Sequence, residues 1–217
     1  MYQEVNQIKI YYHKLGKGDP ILLLHGNGES HKIFDKLSKI LSEGFTVYAI
    51  DSRGHGESTP VKELNYLDMV EDIAEFIKCK DIQKPILYGF SDGGIIGLIL
   101  AAKYPDMLSK LIISGANTNP QGVKKNYLRL FKLIYFFTRN PKFKLMVTQP
   151  DIKVEELNKI IIPTIVLAGS KDLIYEEHTR EIAKEIPNSV LKILEGEDHG
   201  SYVVDNDKLY KIIEDYL

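Results

Sequence analysis

The chain has 217 residues, 27% charged and 44% hydrophobic, the proportions of an ordinary soluble globule, and is long enough for one domain that buries roughly 70% of its unfolded surface. A net charge of −2 exerts no general pull toward nucleic acid, and the single cysteine, Cys79, excludes an internal disulfide and a cysteine-built metal site. No leader-like segment and no apolar run of about 18 residues occurs, so the expected compartment is the cytoplasm.

In chain order, Tyr2 to Leu15 alternates as a short antiparallel hairpin with Asn6-Gln7 as its turn. Apolar strands follow at Ile21 to Leu24, Thr46 to Ile50, Pro85 to Tyr88, Lys110 to Ser114, Thr164 to Ala168 and Val190 to Leu194. Helical patterns fall near Lys32 to Leu41, Leu67 to Lys80, Gly93 to Lys103, Glu176 to Glu185 and Asn206 to Tyr216. This alternation predicts an α/β fold, a mostly parallel sheet with helices on both faces, in a single domain over 1–217. Cys79 lies within the second helical pattern, where a buried or half-buried structural thiol is expected.

Gly89-Phe90-Ser91-Asp92-Gly93 sits at a strand-to-helix junction, and its glycines allow the sharp turn that exposes a serine hydroxyl. A serine hydroxyl is a poor nucleophile unless an imidazole takes its proton and a carboxylate orients the imidazole. The chain carries Gly169-Ser170-Lys171-Asp172 after one later strand and Glu195-Gly196-Glu197-Asp198-His199-Gly200 after the next. Two carboxylates compete to orient His199. Neighbouring side chains in an extended loop point apart, so Asp172 is preferred over Asp198.

Serine, aspartate and histidine in that order, each just past a strand, resemble the α/β-hydrolases. His25-Gly26-Asn27-Gly28 after one strand, and the run from Asp51 to Ser58 after another, extend the resemblance over nearly the whole chain. It implies a catalytic set of Ser91, Asp172 and His199, with the backbone N–H groups of Asn27 and Asp92 as oxyanion donors. His25 and His55 then shape their loops, Asp51, Arg53 and Ser58 brace theirs, and His13, His31 and His178 are ordinary surface. The run Gly-Phe-Ser-Asp-Gly-Gly, with Ala101 to Pro105 and Gly115-Ala116-Asn117, is similar to the biphenyl-hydrolase-like (valacyclovir hydrolase) group. Members of that group favour α-amino-acid esters, so Asp92 is a candidate for an ammonium group; the competing reading, slightly preferred, is an acid that simply suits a helix N-terminus.

The resemblance also implies a small helical lid at about 118–151. Val123 to Thr138 reads as an amphipathic helix with Tyr127, Leu130, Phe131, Ile134 and Phe137 on one face, and Tyr127 and Phe131 are candidate substrate contacts. No Asp or Glu occurs from Met107 to Pro150, which holds eight Lys and Arg residues. Two explanations compete. Packing of the apolar face over the core is preferred to contact with a membrane surface or an acidic partner.

The expected activity is hydrolysis of a small carboxylic ester through an acyl-enzyme. Thioester, amide or carbon–carbon bond hydrolysis on the same residues, and a non-catalytic small-molecule receptor, are the alternatives. Neither a metal-ligand cluster nor a phosphate-binding glycine loop is present in the sequence, so no cofactor and no nucleic-acid partner are expected.

Overall fold

Asn6 and Gln7 both adopt positive φ, 44° and 66°, the backbone of a tight turn that matches strand twist, and so fold β1 (Tyr2–Val5) antiparallel onto β2 (Ile8–Leu15). This computed structural model describes residues 1–217. β2 pairs antiparallel with β4 (Phe45–Ile50), and β4 pairs parallel with β3 (Asp19–Leu24). β5 (Ile86–Phe90), β6 (Lys110–Ser114), β7 (Thr164–Gly169) and β8 (Ser189–Leu194) continue in parallel, giving the order β1-β2-β4-β3-β5-β6-β7-β8.

The central strands are apolar on both faces, and consecutive side chains divide between two cores. Leu22 and Leu24 of β3 and Leu87 of β5 enter the larger core, while Ile21, Leu23, Ile86 and Tyr88 enter the smaller one. The smaller core is closed by α1 (Asp35–Leu41), through Leu37 and Leu41, and at the far end of the chain by Leu209 and Ile213. The larger is closed by α2 (Tyr66–Cys79) and α3 (Asp92–Lys103), which pack on each other.

Between β6 and β7 the chain forms α4 (Lys125–Thr138), α5 (Pro141–Thr148) and α6 (Val154–Leu157), followed after β7 by α7 (Glu176–Glu185) and after β8 by α8 (Lys208–Ile213). α5 is absent from the periodicity reading, yet Asn140-Pro141 announces it. The Asn140 side chain accepts the Lys142 N–H at 2.9 Å, and proline occupies the first helical position.

Three expectations are corrected. α4 does not pack its apolar face over the core, since none of its residues is buried; only Leu128, Phe131, Ile134 and Tyr135 are half-buried, while Tyr127, Leu130 and Phe137 face solvent. Cys79 is exposed, because it lies in the last turn of α2 away from the apolar stripe. His31 is buried against Asp51, 2.9 Å from Nδ1 to Oδ1, and His178 is half-buried with Nε2 accepting the Thr118 N–H, so neither is ordinary surface.

Candidate active site

Ser91 joins β5 to α3 at φ 52° and ψ −113°, a strained conformation for a residue with a side chain. The turn closes only because its flanks lack side chains. A Cβ on Gly89 would lie 2.2 Å from the Gly93 carbonyl oxygen, and one on Gly93 would lie 2.1 Å from that of Leu24. The Ser91 N–H donates to Ser114 O at 2.8 Å and the Gly93 N–H to His25 O at 3.1 Å, anchoring the elbow to the strands on both sides.

The structure brings three distant side chains into one hydrogen-bonded series. Ser91 Oγ lies 3.1 Å from His199 Nε2, and His199 Nδ1 lies 2.7 Å from Asp172 Oδ1. The tautomer that serves both contacts carries its proton on Nδ1, donates it to Asp172 and accepts the serine hydroxyl at Nε2. Asp172 is buried, and Oδ1 also accepts the Ile174 N–H at 2.9 Å, which fixes the carboxylate toward the ring. Asp198 faces its own loop. Its Oδ1 accepts the N–H groups of Gly200 at 3.0 Å and Ser201 at 2.9 Å, and these donors hold its carboxyl below the usual range.

Ser91, Asp172 and His199 all follow the carboxyl ends of parallel strands, β5, β7 and β8, and the loop His25–Glu29 follows β3 on the same edge. Neither the Asn27 nor the Asp92 backbone N–H donates to any group of the protein, although both residues line the cavity that holds Ser91. The Asn27 loop is held from below. His25 Nε2 accepts the Ser52 N–H at 3.1 Å, and burial lowers the pKa of His25 and of neighbouring His55 to about 4, so both imidazoles are neutral. Asp51 accepts the backbone N–H groups of His31 and Glu57, Ser58 Oγ donates to Asp51 O, and Arg53 makes a two-pronged pair with Asp72.

The cavity measures about 400 Å³. Ser91, His199 and Phe90 form its floor, and Val123, Phe131, Phe143 and Met146 its apolar roof, so α4 and α5 cover the serine. Phe131 and Phe143 pack ring to ring at 6.0 Å. Tyr127 does not line the cavity; it sits on the solvent side of α4, which corrects its expected role as a substrate contact. The roof is rooted beside the acid. Val123 bridges Ile174, the Lys124 N–H donates to Leu173 O at 2.8 Å, and the Lys124 ammonium donates to Asp172 O.

Asp92 lines the cavity, but both carboxylate oxygens are already engaged. Oδ1 accepts the Tyr66 hydroxyl at 2.7 Å and Oδ2 accepts Asn27 Nδ2 at 2.9 Å. Burial raises the Asp92 pKa, whereas the two donors and the Lys142 ammonium favour its charged form. Tyr66, Glu29 and Lys142 also line the cavity, beyond the residues the sequence singles out. Glu29 accepts the Gly26 N–H at 3.0 Å, and burial pushes its carboxyl up. Nothing local in the sequence marks Tyr66 or Lys142, which reach the cavity from α2 and α5.

Residues 19–145 match the profile of a family described as alpha/beta hydrolase fold. The chain is 29% identical over 246 aligned positions to the human protein Serine hydrolase BPHL, covering 98% of this chain and 84% of that one. It is 25% identical to AB hydrolase superfamily protein YisY of Bacillus subtilis, covering 96% of this chain and 95% of that one. Among solved structures, Est816, described as an N-acyl homoserine lactone degrading enzyme, superposes over the whole of both chains with a TM-score of 0.84 at 18% identity. A thermophilic esterase from Thermogutta terrifontis superposes over 96% of this chain and 93% of its own with a TM-score of 0.80 at 22% identity. With more than half of its length matched by the family profile and BPHL alike along nearly all of it, the chain is an α/β-hydrolase: it belongs to the alpha/beta hydrolase fold family.

Proposed function

We propose that the protein is a serine esterase that cleaves small carboxylic esters through an acyl-enzyme on Ser91. The observation that carries this reading is the series Ser91–His199–Asp172 beside two backbone N–H groups without protein partners, in one roofed cavity. His199 Nε2 takes the hydroxyl proton as Oγ attacks the ester carbonyl, and the imidazolium charge is stabilised by Asp172, which stays ionised. The carbonyl oxygen becomes an anion and is received by the N–H groups of Asn27 and Asp92, each worth about 3 to 4 kcal/mol of barrier. His199 then protonates the departing alcohol. Water follows the same path, losing its proton to Nε2 and releasing the acid from Ser91.

Asp92 serves this reading as a support for Asn27 rather than as a free carboxylate, since Tyr66 and Asn27 occupy its two oxygens. Esterase and lactonase relatives on the same fold agree with acyl transfer to water as the reaction class. A fluorophosphonate probe tests the nucleophile: a covalent adduct on the peptide containing Ser91, with parallel loss of p-nitrophenyl butyrate hydrolysis, is expected. Folded protein that neither labels nor turns over any ester of a graded series would reject the proposal.

A further inference from the structure

The outer face of α4 has no partner within the molecule. Leu130, Leu133 and Phe137 are exposed, Phe137 at 74%, and at about 100° per residue they fall within roughly 60° of one another. Phe136, 62% exposed, stands beside them. Five of the chain's twelve exposed large apolar residues, these four and Tyr127, lie on this one helix. Such concentration on the surface of a soluble fold marks a contact site.

Charge says what it contacts. Lys125, Arg129 and Lys132 line one flank of the ridge, and Arg139 closes its end, stacked over the rings of Tyr135 and Phe136 at 5.7 and 5.5 Å. None of the four has a carboxylate within 4.0 Å. From Met107 to Pro150 there are eight cations and no anion, in a chain whose net charge is −2, so the remainder is acidic and the basic charge is gathered here. A second copy fits poorly, because pairing two such faces sets four cations against four with no acid on either side to answer them. An apolar ridge with a basic flank has the form of a helix lying in a bilayer interface, rings among the acyl chains and cations among the headgroups.

We propose that the outer face of α4 docks the protein on anionic lipid surfaces. The cavity lies under the same helix, so esters dissolved in the bilayer are concentrated beside its roof. Docking itself is independent of the proposed hydrolysis and is measured without it.

The test is co-sedimentation of the full chain with sucrose-loaded vesicles, either phosphatidylcholine alone or an equimolar mixture with phosphatidylglycerol. At about 0.1 M salt, where the Debye length is roughly 10 Å, the protein is expected to pellet with the mixed vesicles. At about 1 M salt, or on phosphatidylcholine alone, binding is expected to fall roughly tenfold or more. Leu133→Ser with Phe137→Ser, and separately Lys125→Gln with Arg129→Gln and Lys132→Gln, lose binding to a similar degree while far-ultraviolet circular dichroism and hydrolysis of a water-soluble ester are unchanged. Because the chain has no tryptophan, Phe137→Trp provides a single indole whose emission shifts to the blue on mixed vesicles. Failure to pellet with mixed vesicles at low salt, equal binding to both vesicle types, or a dimer that the Leu133→Ser and Phe137→Ser changes dissociate would each overturn the proposal, the last assigning the face to a second copy.

Discussion

Asn27 Nδ2 donates to Asp92 Oδ2 at 2.9 Å, tying the loop after β3 to the first residue of α3. The two backbone N–H groups proposed for the oxyanion belong to these same two residues, so this side-chain bond, with the Gly93 N–H to His25 O bond, ties the two donors together. Asn27→Ala keeps both N–H groups but removes the tie. Its kcat is expected to fall about tenfold to a hundredfold with little change in KM, because a slack anion site fails the transition state more than the substrate. Steady-state kinetics on p-nitrophenyl butyrate decides this; a change confined to KM would assign Asn27 to substrate binding.

Ser91→Ala and His199→Ala are each expected to lower kcat by roughly 10⁶-fold, and the double variant by no more, since the pair acts as a unit. Asp172→Asn disturbs the tautomer and costs about 10⁴-fold. Additive losses in the double variant would show that the two side chains act separately.

The apolar roof is expected to limit the acyl group. In a cavity of about 400 Å³, butyrate esters are expected to outrun long-chain ones, and Phe131→Ala should raise octanoate relative to butyrate kcat/KM by roughly tenfold. An unchanged chain-length profile in Phe131→Ala would place the acyl group elsewhere.

Burial lowers the pKa of His25 and of His55 from 6.5 to about 4. Between those values the unfolded chain binds protons that the folded chain refuses, so this contribution is fully present above pH 6.5 and is lost as pH falls toward 4. The raised carboxyls of Glu29 and Asp92 act in the opposite sense at acid pH. Urea midpoints across the window should therefore depend less on pH in His55→Gln than in the wild type; equal slopes would contradict a neutral buried His55.

Asp72 receives Arg53 through Nε at 2.6 Å and Nη2 at 2.7 Å, both side chains being largely shielded from solvent. Asp72→Ala leaves the guanidinium with only the exposed Asp68 nearby, and a loss of about 3 to 5 kcal/mol in unfolding free energy is expected. Denaturant titration measures it, and kcat of the folded fraction should not change if Arg53 only braces its loop.

The strands were readable because parallel strands buried on both faces are continuous apolar runs, and the elbow because glycine, serine and glycine stand where a strand becomes a helix; the order of the strands across the sheet was not, since it depends on pairing between distant segments. Tyr66 and Lys142 were not, since each reaches the cavity from another helix and neither stands in a local pattern; Glu29 directly follows His25-Gly26-Asn27-Gly28, but its turn back onto the Gly26 N–H is visible only in three dimensions. The orientation of α4 departs from the expectation for a different reason. Apolar residues nearly encircle it, so periodicity could not say which side meets the protein, and the face holding Leu128, Phe131 and Ile134 won by packing on α5. Burial of His31 depended on Asp51, twenty residues away and on a different strand end.

The stitching of Val123 and Lys124 to Leu173 and Ile174 makes the start of α4 continuous with the loop that carries Asp172. A cover hinged there would have to drag the acid away from the imidazole in order to open. The opposite end, at the α4–α5 corner around Arg139 and Asn140, has no such tie to the acid, and both residues are exposed. Asn140 also lines the cavity, so a substrate admitted beneath that corner would leave the proton path assembled.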